Sequence, residues 1–303
     1  MNRWIGIGLL AAGVLGLAAF TKDTLQLGNP PQNQTYEHHW ELPAGAMKQL
    51  DIQSDYEIAV QFVPSPDGQD HVTLKGAVIS SIRQQLARSH LQGDALQLNL
   101  GRQQQRWQLV KPRVQPHVQY ITVQLAQPDS LQLANFRLSS AQTNLNHVQA
   151  KQIRVQSGSG RIKAQQLDGN TELTTSSGDI SIHTWNGSKL NLHSGSGQLQ
   201  IGTANGHVYT STGSGALQID QLGGDANIAS HSGNVKLMLT GSHDIDVHVR
   251  SANIHIDADS TFAGTYQAYV ANEQTERSQT SAAGSAHIDA YSDSGQVTIK
   301  YDE

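Results

Sequence analysis

The 303-residue chain contains no cysteine. That excludes a disulfide framework, a thiolate metal site and a lipid-modified cysteine behind a leader segment. Aromatic residues make up 5% of the chain and charged residues 15%, with a net charge of −5. Nucleic acids and anionic membrane surfaces recruit clustered Lys and Arg. The sequence has no such cluster, so nucleic acid is not an expected partner. What the chain does have is glycine, 28 residues of it, with abundant Ser and Gln. That mix suits a β-rich protein with many tight turns.

Long apolar runs are equally scarce. The one that stands out, Trp4 to Phe20, follows Arg3 and is 17 residues long without a charge. This is the lower limit for a bilayer-spanning helix, and the preceding cation would keep its start in the cytoplasm. A signal peptide cut near Ala18 or Ala19 competes with an uncleaved anchor. Phe20 and the length of the run blur any cleavage site and favour the anchor. Residues 1–21 are therefore expected to be an apolar helix serving as signal peptide or transmembrane anchor, with membrane contact through residues 4–20. Either reading places the remainder outside the cytoplasm. Residues 22–35, with Pro30-Pro31, read as a linker.

From about residue 131 the sequence repeats itself. Ser157–Gly160, Thr175–Gly178, Ser194–Gly197, Thr212–Gly215 and Ser230–Gly233 carry the same turn, with glycines 18, 19, 18 and 18 residues apart, and Ser292–Gly295 is a last copy. Two and four residues after each glycine stand apolar pairs, such as Ile180/Ile182 and Leu199/Ile201. Seven and five residues before it stand others, such as Leu190/Leu192. The residues between are polar, the period-2 pattern of strands with one buried face. Turns such as Asp168-Gly169-Asn170 and Trp185-Asn186-Gly187 interrupt the strands, and Gly tolerates the positive φ that turns often require.

A fixed period with like residues in columns predicts an all-β parallel β-solenoid, one coil per 18–19 residues. Ser159, Ser177, Ser196, Ser214, Ser232 and Ser294 precede the glycines and are expected to form an edge ladder, their hydroxyls bonding between coils. Thr143 and Ala252 stand where the glycine is expected in two degenerate coils. Residues 257–286 break the period as an excursion, and residues 287–303 return as the final coil of a solenoid spanning 131–303. Residues 36–130 show strand signals without a period and are expected to cap the first coil. Ile82, Leu86 and His90 recur at four and predict a helix within 79–91.

The order of LDIQSDYEIAVQF, GDALQLNL and ITVQLAQPDSLQLANFRLSS before the serial SGSGRIKAQQL and TSSGDISIHTW coils resembles the uncharacterised bacterial adhesin-like β-strand-repeat family, over about residues 48–303. The resemblance implies a β-solenoid at the cell envelope and supplies no catalytic motif.

The residues themselves assign no catalytic, cofactor-binding or metal site. Ser242-His243-Asp244 are adjacent, whereas a triad is built by spatial convergence. Gly158-Ser159-Gly160 lacks the third glycine and helix of a dinucleotide loop. Among the 14 histidines, His183, His193 and His231 fall at different offsets from their glycines, so they do not form one column. Gly223-Gly224-Asp225 occurs once and is not a calcium repeat. The outward columns, Lys163, Ser181, Gln200, Gln218, Lys236 and Gln165, His183, Gly202, Asp220, Met238, hold no recurring acidic pair of the kind a glycan-cleaving enzyme uses. Trp185 shares its offset with Leu167, Ala204 and Leu222 and reads as packing, which leaves Tyr209 as the outward aromatic. The expected function is a non-catalytic, envelope-exposed binding or scaffold module whose partner is an envelope protein or glycan. A polysaccharide-active enzyme and an envelope-stress regulator acting through a protein partner are the alternatives.

Overall fold

The computed structural model describes residues 34–101, 117–271, 275–281 and 285–301. The expected N-terminal apolar helix and most of the linker lie outside the described residues. Among those described, no helix is long and apolar enough to cross a membrane. The chain opens with β1 (Gln34–Leu42), β2 (Gln49–Ser54), β3 (Ile58–Pro64) and β4 (Asp70–Val78). A short helix α1 (Ser80–Leu86), then β5 (Ala95–Leu100), β6 (Gln119–Leu125) and β7 (Leu133–Leu138) follow. The helix is shorter than predicted: Ile82 and Leu86 are buried, but His90 is exposed beyond its end. Four long strands come next, β8 (Thr143–Ser157), β9 (Ile162–Thr175), β10 (Ile180–Ser194) and β11 (Leu199–Thr212). Shorter ones complete the chain: β12 (Leu217–Leu222), β13 (Ala226–Ser230), β14 (Val235–Leu239), β15 (Ile245–Val249) and β16 (Ile254–Ala258). Last are β17 (Gly264–Val270), β18 (Thr275–Ser281), β19 (Ala286–Ser292) and β20 (Val297–Tyr301).

These strands build an all-β solenoid with two faces. Face one runs β5, β2, β7, the second halves of β8 to β11, then β13, β15, β19 and β17, all parallel, with β18 antiparallel at the end. Face two runs β6, β3, the first halves of β8 to β11, β12, β14, β16 and β20, also parallel. Antiparallel β4 and then β1 extend it beyond β6. The inward residues of both faces form one continuous core that includes Ile180, Ile182, Leu190, Leu192, Leu199 and Ile201. A third buried column fills the corner between the faces: Val148, Leu167, Trp185, Ala204 and Leu222 are in register and buried. Trp185 is fully buried, as its offset predicted, and its indole N–H donates to the Gly169 carbonyl at 3.0 Å. Ala204 in the next coil leaves it room.

Two rungs come from the region expected only to cap the stack. β2 lies between β5 and β7, and β3 between β6 and β8. The other end is built the same way. The period-breaking segment forms the hairpin β17–β18, and β19 then fills the gap between β15 and β17. At both ends the chain overshoots a rung and later fills it. The free edge at β1 carries Glu37, His39 and Glu41 outward, charges of the kind that discourage pairing with another chain.

The turn glycines are required by stacking. A methyl group on Gly215 would sit 1.8 Å from the Gly197 carbonyl oxygen, and one on Gly197 would sit 2.0 Å from that of Gly178. None of these three has a positive φ. That conformation is used instead at the corner, by Gly169 (φ 136°) and Gly206 (φ 124°).

The serine ladder is corrected in the same turns. Ser159, Ser177, Ser196, Ser214, Ser232 and Ser294 are exposed. The backbone N–H groups of Ser177, Ser214 and Ser232 bond to the preceding coil at 3.3, 3.2 and 2.9 Å. Of their hydroxyls, those of Ser232 and Ser294 reach a carbonyl of the preceding coil, at 3.4 Å. The column that closes the turn lies three residues before the glycine. The buried hydroxyls of Ser157, Thr175, Ser194, Ser230 and Ser292 accept the glycine N–H at 2.9–3.2 Å. In the two degenerate coils where alanine replaces the glycine, at Ala141 and Ala252, the column holds Leu138 and Val249. Ala141, rather than Thr143, is the true equivalent, because Phe136 pairs with Val155 and a Gly160 methyl would meet the Ala141 carbonyl.

These two serine columns predict different costs. Ser194→Ala leaves the Gly197 N–H without its buried acceptor and lowers unfolding free energy by about 1–3 kcal/mol. The exposed Ser196→Ala stays within about 0.5 kcal/mol of the parent. Urea denaturation of both variants checks the assignment, and equal costs would refute it.

Candidate binding site

The outward side chains of face two near the N-terminal end line an open trough of about 690 Å³. Its first column, in register, is Tyr120, Ala59, Asn144, Lys163 and Ser181. Its second includes Thr122, Gln61, Asn146, Gln165 and His183. The depression has a simple cause: Ala59 is the smallest residue of its column, set between a tyrosine and an asparagine. Tyr120 is 58% exposed, the most of any large apolar side chain described.

The strand that presents Tyr120 is held at both ends. Beyond β6, the buried Asp70 carboxylate accepts the N–H groups of Gly45 at 2.8 Å and Ala126 at 2.9 Å. At its start, the buried Gln119 side chain donates to the Ala77 carbonyl at 3.0 Å. A methyl group on Gly76 would sit 2.1 Å from the Gln119 amide oxygen, so glycine is needed for this contact. Asn144 is also fixed, accepting from the Gln142 amide at 3.1 Å and donating to Glu57 at 3.3 Å. Lys163 has no carboxylate partner among the described residues. The trough therefore joins a rigid aromatic face, amide and hydroxyl groups and a free ammonium, groups suited to holding a polar ligand.

Face one carries polar side chains and exposed rings. Tyr209 stacks on His207 at 4.4 Å with planes 2° apart, and the Lys189 ammonium lies 4.6 Å from its ring centroid. Further along, Tyr269 stacks on Tyr291 at 5.0 Å, and His248 meets Tyr291 edge-on at 4.5 Å. Tyr291 titrates above the ordinary tyrosine value, chiefly because its hydroxyl bonds to Asp293.

Ser242, His243 and Asp244 bond in three directions. The Ser242 hydroxyl accepts the Ala263 N–H at 2.8 Å, His243 faces Asp225 at 3.8 Å, and Asp244 accepts the His287 N–H at 3.0 Å. Each fixes a turn. Several described histidines lie beside a carboxylate, as in His147–Asp168 at 2.7 Å and His255–Asp257 at 3.0 Å, and Asp225 faces both His207 and His243. Among the described residues no three ligating side chains gather around one point.

Sequence reading placed Lys163, Gln165, Ser181 and His183 in outward columns, and these do line the trough. It missed Ala59, Gln61, Tyr120 and Thr122, which reach the same surface from the non-periodic region. The usable signal was the alternation in Tyr120–Leu125, which sets Tyr120 outward opposite Ile121 and Val123.

A family model described as Toastrack DUF4097 matches residues 47–300. Among solved structures, similar chains include a proposed adhesin from Bacteroides fragilis, 16% identical, covering 91% of this chain and 100% of that one with a TM-score of 0.40. Another is a proposed lipid-binding protein from Parabacteroides distasonis, 14% identical, covering 90% and 98% with a TM-score of 0.44. A third, a proposed adhesin from Parabacteroides merdae, is 11% identical and covers 89% and 97% with a TM-score of 0.43. No curated protein matches the chain.

One histidine–carboxylate pair makes a direct test of the pairing. His71 donates to both oxygens of Asp67 at 2.9 Å. With the Gln69 N–H and the Ser65 hydroxyl, it holds the Asp67 carboxyl down to about 2. A lowered carboxyl value stabilises the folded form above the ordinary value, and that contribution disappears as pH falls through about 2. Carboxyl-carbon NMR should place the Asp67 midpoint near 2, with His71→Asn moving it towards the ordinary range. An unmoved midpoint would refute the pairing.

Proposed function

The chain belongs to the Toastrack DUF4097 family, and on that premise we propose that it is a non-catalytic binding or scaffold module exposed in the cell envelope. The observation that carries this reading is the outer surface of the stack. In-register strands set outward polar side chains about 4.8 Å apart along two faces, so an extended ligand meets a polar group at successive rungs. In the trough on face two a column passes from tyrosine to alanine to amide to lysine within four rungs. Such a surface favours adsorption, because the groups are spread along a line and do not converge on a reacting atom.

Envelope exposure is proposed from the apolar run at Trp4–Phe20, which would hold the solenoid on the far side of a membrane. The partner is an envelope glycan or protein lying along a face.

Two measurements test this. Protease added to bacterial spheroplasts carrying the full chain should digest the solenoid while a cytoplasmic marker survives, and survival of both would remove the envelope from the account. A polysaccharide array should retain the full chain and return each bound polymer uncut. New reducing ends or unsaturated products would replace the proposal with the polysaccharide-active reading.

A further inference from the structure

We infer that the trough on face two binds a segment of an acidic polysaccharide, with Tyr120 stacking on a sugar ring and Lys163 pairing with a carboxylate further along the chain. This rests on the binding-module reading and names its ligand class and site.

Four observations lead there. The volume of about 690 Å³ is that of a ligand site, and its lining mixes amide and hydroxyl side chains with apolar surface in nearly equal share. Gln61, Thr122, Asn144, Asn146, Gln165 and Ser181 can each donate and accept, which matches a ligand covered in hydroxyls. Tyr120 gives the trough one flat apolar wall, 58% exposed, on a strand fixed at both ends. Sugar rings present an apolar face of C–H groups that such a ring can cover. Three rung steps separate Tyr120 from Lys163, roughly 14 Å at the spacing of neighbouring strands. One sugar is too short to touch both, so the ligand is an oligosaccharide segment.

The lining gives the segment a direction: Tyr120 and Lys163 stand three rungs apart, and the Glu57 carboxylate, bonded to Asn144 at 3.3 Å, lies between them. Lys163, with His183 two residues beyond its register partner Ser181 on the neighbouring strand, stands at the opposite end from Tyr120 and supplies the ammonium. Some surface cations are taken, Arg154 by Glu172 at 3.5 Å, Arg161 by Asp179 at 3.1 Å and Lys75 by Glu37 at 3.5 Å, whereas Lys163 stands without a carboxylate partner among the described residues and lines the trough. One ammonium in the trough lining, in a chain of net charge −5, is too little for nucleic acid and is enough to select an acidic sugar from a neutral one.

The test uses the full chain, a panel of uronic-acid and sialic-acid polymers, and the same polymers after carboxyl reduction. The acidic polymers should bind, and their reduced forms should bind at least about fivefold more weakly. Tyr120→Ala should weaken binding about tenfold, and Lys163→Gln should bring acidic and reduced polymers to equal affinity while flattening the salt dependence. Tyr209→Ala, on the other face, should leave binding unchanged. Both trough positions are exposed, so the variants fold, as urea denaturation can verify. Equal affinity of the parent for acidic and reduced polymers would overturn the assignment of an acidic ligand. Binding lost with Tyr209→Ala and kept with Tyr120→Ala would overturn the trough while sparing the binding-module reading. No binding to any polymer of either set would overturn the inference, and that reading then stands or falls on a protein partner recovered by cross-linking.

Discussion

Everything in this protein depends on how closely one coil's turn rests on the next. The turn backbones approach until a carbonyl oxygen occupies the space of the Cβ above it, as between Gly197 and Gly215. That approach fixes the glycine column, and the glycine N–H is then buried and needs an acceptor. The inward serine or threonine three residues earlier supplies it. Leu138 and Val249, in the coils that have lost the glycine, show the dependence from the other side. The closeness also fixes register, so apolar residues fall on apolar residues and outward residues align into ladders. The binding surface is thus a by-product of the packing that stabilises the fold.

A stack with a fixed register has two open ends, and this chain closes both by interleaving. β2 and β3 are made before β5 and β6 but lie inside them, and β17 is made before β19 but lies outside it. Each terminal rung is therefore tied to the stack through a strand distant in sequence. The N-terminal arrangement also has a functional consequence. It brings β6, with Tyr120, beside β3, with Ala59, and so creates the trough.

The periodic coils were fully legible. The apolar pairs around Gly178, Gly197 and Gly215 mark the strands and their parallel pairing, and the offset that Trp185 shares with Leu167, Ala204 and Leu222 marks it as core or edge packing, of which the structure shows core. The serine ladder was placed two residues away from the working one, because both positions carry hydroxyl residues and only burial separates them. The expected role for positive φ in the turns applied to Gly169 and Gly206 and did not extend to the stacking glycines. The N-terminal rungs were hidden for a topological reason. Residues 64–94 and 101–118 separate strands that would otherwise recur at the coil period, and insertion of β2 between β5 and β7 scrambles the order in which equivalent residues appear. Ala59 and Tyr120 therefore never aligned with Asn144 and Lys163 on paper, although they share a column in space.

The interleaved register is the central claim, and the absence of native cysteine makes it directly measurable. Outward neighbours on adjacent parallel strands stand about 4.8 Å apart, within the Cα separation a disulfide accepts. Asp51 lies in register with Asn135 on one side and Gln97 on the other. The double variants Asp51→Cys/Asn135→Cys and Asp51→Cys/Gln97→Cys should each oxidise to an intramolecular disulfide in the folded protein, while Gln97→Cys/Asn135→Cys should not. A disulfide in the last variant, with none in the first two, would place β5 directly against β7 and contradict the account.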